Sequence, residues 1–321
     1  MKEISFIEAM TDGLKEEMTR NENIVVMGED VSVSVLGLER GLKAAFPNRV
    51  IDTPISEAGF VGLAVGAAIE GLRPYVSITY ANFLYTAMDQ ISNHAAKLRF
   101  LSGGQVKVPI VICTTIGRGR AAGAQHSETI ISPFMHIPGL KVVTPSTPYD
   151  AKGLLKTSLR DDNPIILFTH LLLLRDVKSK VPAEDYTIPL GVADVKKEGN
   201  DVTIVTLLYM VHEALAAARD LEKRGISAEV VDLRTVTPLD EKTILDSVKK
   251  TGRLVIVEEE VKRGGVGAEI AATVTEKGFD YLDAPIRRLG ALFTPVPHSP
   301  VQEKHMMPNC DSIVKAIGEI V

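Results

Sequence analysis

At 321 residues the chain is long enough for two domains of ordinary size, and a chain of that length buries roughly three quarters of its extended surface. Its composition, 45% hydrophobic and 24% charged with no Trp, excludes the disordered and fibrous classes. The net charge of −5 is spread along the sequence, leaving no basic footprint for nucleic acid and no polybasic anchor for a membrane.

The opening MKEISFIEAM carries acids where a signal peptide needs an apolar core, and no uncharged run reaches the ~18 residues of a membrane span, so a cytoplasmic location is expected. Ser5 and Glu8 make a capping-box pattern, and Ile7, Met10, Leu14 and Met18 follow at helical spacing. Short apolar runs at 24–27 and 50–51 read as strands. The second feeds residues 52–71, DTPISEAGFVGLAVGAAIEG, which predict a strand end, a Pro turn and a helix with Glu57 in its first turn. Small residues such as Gly59, Gly62, Ala64 and Gly66 let neighbours approach that helix from all sides, so it is expected to be buried.

Residues 74–80 read as a strand, 84–100 as a helix, and 109–115 as a strand buried on both faces. A Gly-rich loop at 117–127, GRGRAAGAQHS, precedes a strand at 141–144, a helix at 149–159 and a strand at 164–168. Periodicity fades over 176–198, where prolines and mixed charge suggest a surface linker. Strands at 202–208, 228–233, 254–258 and 286–289 then alternate with helices at 212–224, 240–248, 264–277 and 309–320. The alternation predicts an α/β fold of two doubly wound domains, 1–182 and 199–321, with 183–198 as linker.

An acid in a first helical turn either complements the helix dipole or performs proton chemistry, and both readings are open for Glu57. The 117–127 loop lies beyond the carboxyl end of a strand, where open sheets bind ligands, but its glycines fit neither G-x-G-x-x-G nor G-x-x-x-x-G-K-[ST]. Its His126 is either a packing residue or a proton carrier near neutral pH. Residues 264–269, GGVGAE, either turn the chain or cradle an anion. No His pair flanks a Glu at zinc-site spacing, and no G-x-S-x-G occurs. Cys113 and Cys310 are far apart and read as packed thiols.

Motifs along nearly the whole chain add to this reading. GED (28–30), RVIDTPISE (49–57), GLRP (71–74), AQHS (124–127), PGLKVV (138–143), YDAKGLL (149–155), DLRTVTPLD (232–240), GVGAEI (265–270) and LDAPI (282–286) closely resemble the beta subunits of thiamine-diphosphate-dependent dehydrogenase components. These are the subunits of pyruvate, branched-chain 2-oxo acid and acetoin dehydrogenase complexes, and the chain looks most like the acetoin type, with pyruvate as the close alternative.

The resemblance implies a pyrimidine-binding domain and a transketolase C-terminal-like domain. It implies that Glu57 hydrogen-bonds a ring nitrogen of the aminopyrimidine of thiamine diphosphate, so that the exocyclic amine can take the proton of the thiazolium carbon. Tyr80 is implied to stack on the pyrimidine, Ile55 to contact the cofactor, and His126 to line the channel for substrate and lipoyl arm. Magnesium and diphosphate are implied to be held mainly by an alpha subunit in an alpha2-beta2 heterotetramer that serves a lipoyl-bearing acyltransferase core. Asp161 and Asn163 match a structural potassium site, though a surface turn explains them equally well. The sequence departs from the family at Ser77, Thr79 and Asn82, where relatives commonly carry Glu, Gln or Met, and Asp, and at Glu128, which replaces Gln. A split transketolase acting on sugar phosphates, with Arg118 and Arg120 as its basic residues, and a non-catalytic scaffold of the same fold are the alternatives.

Overall fold

A computed structural model describes all residues, Met1–Val321. The chain forms two compact units, one made of Met1–Ile116 with Pro133–Leu190 and the other of Gly117–Ser132 with Gly191–Val321.

In the first unit, Ser5 accepts a hydrogen bond from the Glu8 amide while the Glu8 side chain accepts one from the Ser5 amide, which starts the helix Phe6–Arg20 as its sequence predicts. The strands are β1 (Lys2–Ser5), β2 (Ile24–Gly28), β3 (Val50–Asp52), β4 (Arg73–Tyr80), β5 (Val111–Ile116), β6 (Lys141–Val143), β7 (Ile165–His170) and β8 (Lys178–Val181). Six of them make a parallel sheet in the order β6-β7-β5-β4-β2-β3. Every residue of β5 and β7 is buried, as apolar runs in central parallel strands require. The helix Pro148–Arg160 lies against the helix Phe6–Arg20, where Gly13 leaves room for the Lys152 stem.

In the second unit, β9 (Asp194–Lys197), β10 (Val202–Thr206), β11 (Ala228–Asp232), β13 (Leu254–Val261) and β14 (Arg287–Ala291) form a sheet ordered β14-β13-β10-β11-β9, in which only β9 is antiparallel; β12 is the short Thr235–Thr237. Alternate residues of β10 serve opposite faces. Val202 and Ile204 join a core with the helices Met210–Glu222 and Cys310–Gly318. Thr203 on the other face hydrogen-bonds Ser247 and Thr251 of the helix Glu241–Thr251. Helices on both faces make this a doubly wound sheet.

Three expectations change. The single helix read over 84–100 is a 3-10 turn Ala81–Ala87, a π-helical turn Gln90–Ala95 and a short α-helix Leu98–Leu101. Leu84, Ala87, Ile91 and Ala95 are all buried, but their spacing of three, four and four suits several helical pitches, so it marks a face and not a ladder. The stretch read as a surface linker carries two strands: β8 pairs antiparallel with β1, and β9 with β11. Their sequences, KSKV and DVKK, are too charged to read as strands. The helix Glu57–Ile69 is not covered on all sides within this chain, since Leu63 is 61% exposed and no atom stands within 4 Å of a Cβ built on Gly66.

Candidate active site

Two acids meet at the ends of neighbouring elements in the first unit. Glu57 opens the helix Glu57–Ile69 and is 8% exposed, with no side-chain cap supplied by Ser56. Glu29 comes directly after β2, where Gly28 has a φ of 152° and runs so close to β4 that a Cβ on it would lie 2.2 Å from the Ser77 carbonyl oxygen. Only glycine fits there, and the tight passage aims Glu29. Burial pushes the Glu29 carboxyl above the ordinary range, and the neighbouring carboxyl of Glu57 pushes it further. Glu29 Oε1 is buried with no hydrogen-bond partner.

A buried carboxyl at a helix start, beside a second carboxyl with one buried and unsatisfied oxygen, is suited to hold a heterocycle with ring nitrogens. The residues therefore fit the pyrimidine of thiamine diphosphate.

Tyr80 ends β4 just past a register shift between Ile78 and Tyr80, and its ring meets Phe83 edge-on at 6.4 Å. Bulges of this kind re-aim a side chain at a sheet rim. Ile55, at the tip of the Pro turn, is 83% exposed, a large apolar side chain facing outward beside the acid pair. Behind the pair lies a small cavity lined by Glu29, Glu39, Ser77, Thr79 and Thr115. Ser77 donates to Glu39 Oε1 at 2.8 Å and Ser34 to Oε2 at 2.9 Å, while burial raises the Glu39 carboxyl against these bonds. Where the resemblance leads one to expect a glutamate at 77, the buried carboxyl comes instead from Glu39. Cys113 lines the same cavity, and burial pushes its thiol up to about 12, which leaves it a packing residue.

His126 belongs to the second unit, half-buried in the one-turn helix Ala124–Ser127. The loop before it alternates through positive φ at Gly117, Gly119, Ala121 and Gly123. Arg118 is buried, its guanidinium donating to the Pro308 carbonyl at 3.2 Å.

Asp161 and Asn163 form an Asx turn, with Asp161 Oδ1 accepting from the Asn163 amide and side chain at 2.8 Å. Lys141 Nζ stands 2.5 Å from Asp161 Oδ2, and Arg99 donates to Asn163 Oδ1 at 2.6 Å. Burial raises the Asp161 carboxyl, but Lys141 and Asn163 outweigh it and hold the group below its ordinary value. The side-chain oxygens a cation would use thus already face cationic side chains. No group of three or more His, Cys, Asp or Glu is arranged to hold a metal ion.

Of these features, Glu29, Glu39 and the carboxylates that meet the 117–132 loop were not singled out by sequence. Glu29 has two signals, its place after a glycine at a strand end and its position inside the GED motif.

The fold is that of the transketolase-like class. The family model for the transketolase pyrimidine binding domain matches residues 2–176, and that for the transketolase C-terminal domain matches 191–313. In Bacillus subtilis, the beta subunit of acetoin:2,6-dichlorophenolindophenol oxidoreductase is 45% identical, covering 99% of this chain and 97% of its own. The beta subunit of 2-oxoisovalerate dehydrogenase and that of the pyruvate dehydrogenase E1 component, from the same organism, are 44% and 43% identical, each covering 100% of this chain and 99% of its own. A solved structure described as a split-gene transketolase, inactive beta4 tetramer, superposes with a TM-score of 0.81 at 26% identity over 98% of this chain and 97% of that one. The chain belongs to the family of beta subunits of thiamine-diphosphate-dependent acetoin and 2-oxo acid dehydrogenase components. No helix is long and apolar enough to cross a membrane.

Proposed function

We propose that this chain supplies the pyrimidine half of a thiamine-diphosphate active site in a cytoplasmic dehydrogenase component that cleaves acetoin, with oxidative decarboxylation of pyruvate or another 2-oxo acid as the close alternative. The observation that carries the reading is the buried Glu57 at a helix start with a second carboxyl, Glu29, beside it, one of whose oxygens is buried without a partner. Bound thiamine diphosphate supplies the nucleophilic carbon for attack on a carbonyl. Glu57 holds and returns a proton at the pyrimidine ring nitrogen, and Glu29 keeps that proton within reach. Tyr80 and Ile55 provide the surface on which the ring rests, and His126 moves a proton at the substrate oxygen. Magnesium and diphosphate fall to an alpha subunit in an alpha2-beta2 assembly, and the acyl group passes to a lipoyl domain of the acyltransferase core.

A potassium ion at Asp161 and Asn163 would compete with the Lys141 ammonium, so ion binding there would be coupled to movement of that side chain. Against a split transketolase stands the burial of Arg118, whose guanidinium donates to the Pro308 carbonyl.

Co-expression with the companion alpha subunit and a dye-reduction assay tests the reading. Turnover with acetoin exceeding that with pyruvate and branched-chain oxo acids is the expected result, with none from this chain alone. Activity confined to sugar phosphates would transfer the chain to the transketolase reading.

A further inference from the structure

The His126 loop is held in a way the acid pair does not explain. Its alternating positive φ values, 90° at Gly117, 124° at Gly119, 51° at Ala121 and 77° at Gly123, prevent its amides from joining a strand ladder. Carboxylates take them instead. Arg118 N–H donates to Glu259 Oε1 at 3.1 Å. Gly119 and Ala121 donate to the two oxygens of Glu303, at 3.4 and 3.2 Å. On the far side of His126, the Ile131 and Ser132 amides and the Ser132 hydroxyl converge on Glu260 Oε1 at 2.6, 3.0 and 3.1 Å. Between these points the His298 ring occupies the space a Cβ on Gly123 would need, 2.4 Å from it, and meets the Ala121 carbonyl at 3.3 Å.

Glu259, Glu260 and Glu303 are each nearly fully buried. Burying three acids is unfavourable unless each is hydrogen-bonded, and here backbone amides of one loop provide much of that bonding. A loop that needed only a cover would be served by neutral acceptors.

We propose that Glu259, Glu260 and Glu303 are positioning residues that fix the His126 loop from both sides, with His298 filling its concave face. The inference rests on the reading of His126 as the residue that faces substrate. Glu303 is the informative member, because its two oxygens serve two different amides. Glu303→Ala removes both acceptors, while Glu303→Gln keeps one and turns a donor toward the other amide.

The test uses the complete complex with its alpha subunit. Hydrogen exchange is followed at the 118–121 amides in the wild type, Glu303→Gln and Glu303→Ala, alongside kinetics of these variants, of His126→Ala and of the Glu303→Gln/His126→Ala double variant. Exchange at Gly119 and Ala121 is expected to speed up by about tenfold or more, the scale of one lost charge-assisted hydrogen bond, and more in Ala than in Gln. Turnover is expected to drop by about tenfold with an unchanged KM for thiamine diphosphate, and the double variant to be no slower than His126→Ala. Unchanged exchange at these amides overturns the anchor. Losses that multiply in the double variant overturn its action through His126. Should His126→Ala leave turnover intact, the reading of His126 fails, and the exchange data alone decide whether the loop is held by Glu303.

Discussion

Replacing Glu260 by Gln should stabilise the protein in alkaline but not in acidic solution. Burial is the main cause that raises the Glu260 carboxyl from 4.5 to about 7, resisted by the Ser132 amide and increased by the charge of Glu258. Between those two values the folded chain keeps a proton that the unfolded chain has released, so stability falls as pH rises through the window, and the full deficit is present above about 7. At about 1.4 kcal/mol per pH unit the deficit is about 3 kcal/mol. Gln carries no such charge. It also preserves the local bonding, because Ile131, Ser132 N–H and Ser132 Oγ all use Oε1, while Oε2 receives only a long 3.5 Å contact from Val266. Thermal unfolding of assembled wild type and variant at matched pH measures the difference. For a unit of this size about 3 kcal/mol corresponds to roughly 5–10 °C, expected at pH 8 and shrinking to a degree or two at pH 5. An equal difference at both pH values, or destabilisation at pH 8, would refute the reasoning.

Two substitutions probe how the acid pair is built. Gly28→Ala brings a Cβ to 2.2 Å from the Ser77 carbonyl, closer than real side chains come, and places alanine in a backbone region it resists. A loss of about 2–4 kcal/mol is expected from overpacking and strain, read as a lowered Tm, together with lost turnover as Glu29 shifts. Glu29→Gln leaves the fold intact but removes the second carboxyl of the pair, so turnover should decline by roughly tenfold to a hundredfold in the dye-reduction assay; wild-type turnover would show that Glu57 works without a partner.

How much of the fold the sequence reveals depends on how local the determining forces are. The Ser5 and Glu8 cap and the helix after it are written within four residues and were legible. So were β5 and β7, where an uninterrupted apolar run has few other fates than the centre of a parallel sheet. The 81–101 stretch was legible only as a buried face, because side-chain spacing does not separate 3-10, α and π pitches. Glu57 could be named from its motif and its helix start. Glu29 could not, since its importance comes from two elements meeting across the sheet, and neither could Glu303, which reaches amides about 180 residues earlier in the chain. The change at Ser77 looked like a lost acid in the sequence. In the fold it is a relocated one, since Glu39 brings a carboxyl to the same hydroxyl.

The central claim is that Glu57 performs the proton chemistry of the bound cofactor. Its most direct test is the turnover of Glu57→Gln in the complex reconstituted with the alpha subunit, under saturating thiamine diphosphate and magnesium. Gln preserves size and hydrogen-bonding reach but cannot exchange the proton, so turnover is expected to fall by roughly a hundredfold or more. Near-normal turnover would contradict the account and remove Glu57 from the mechanism.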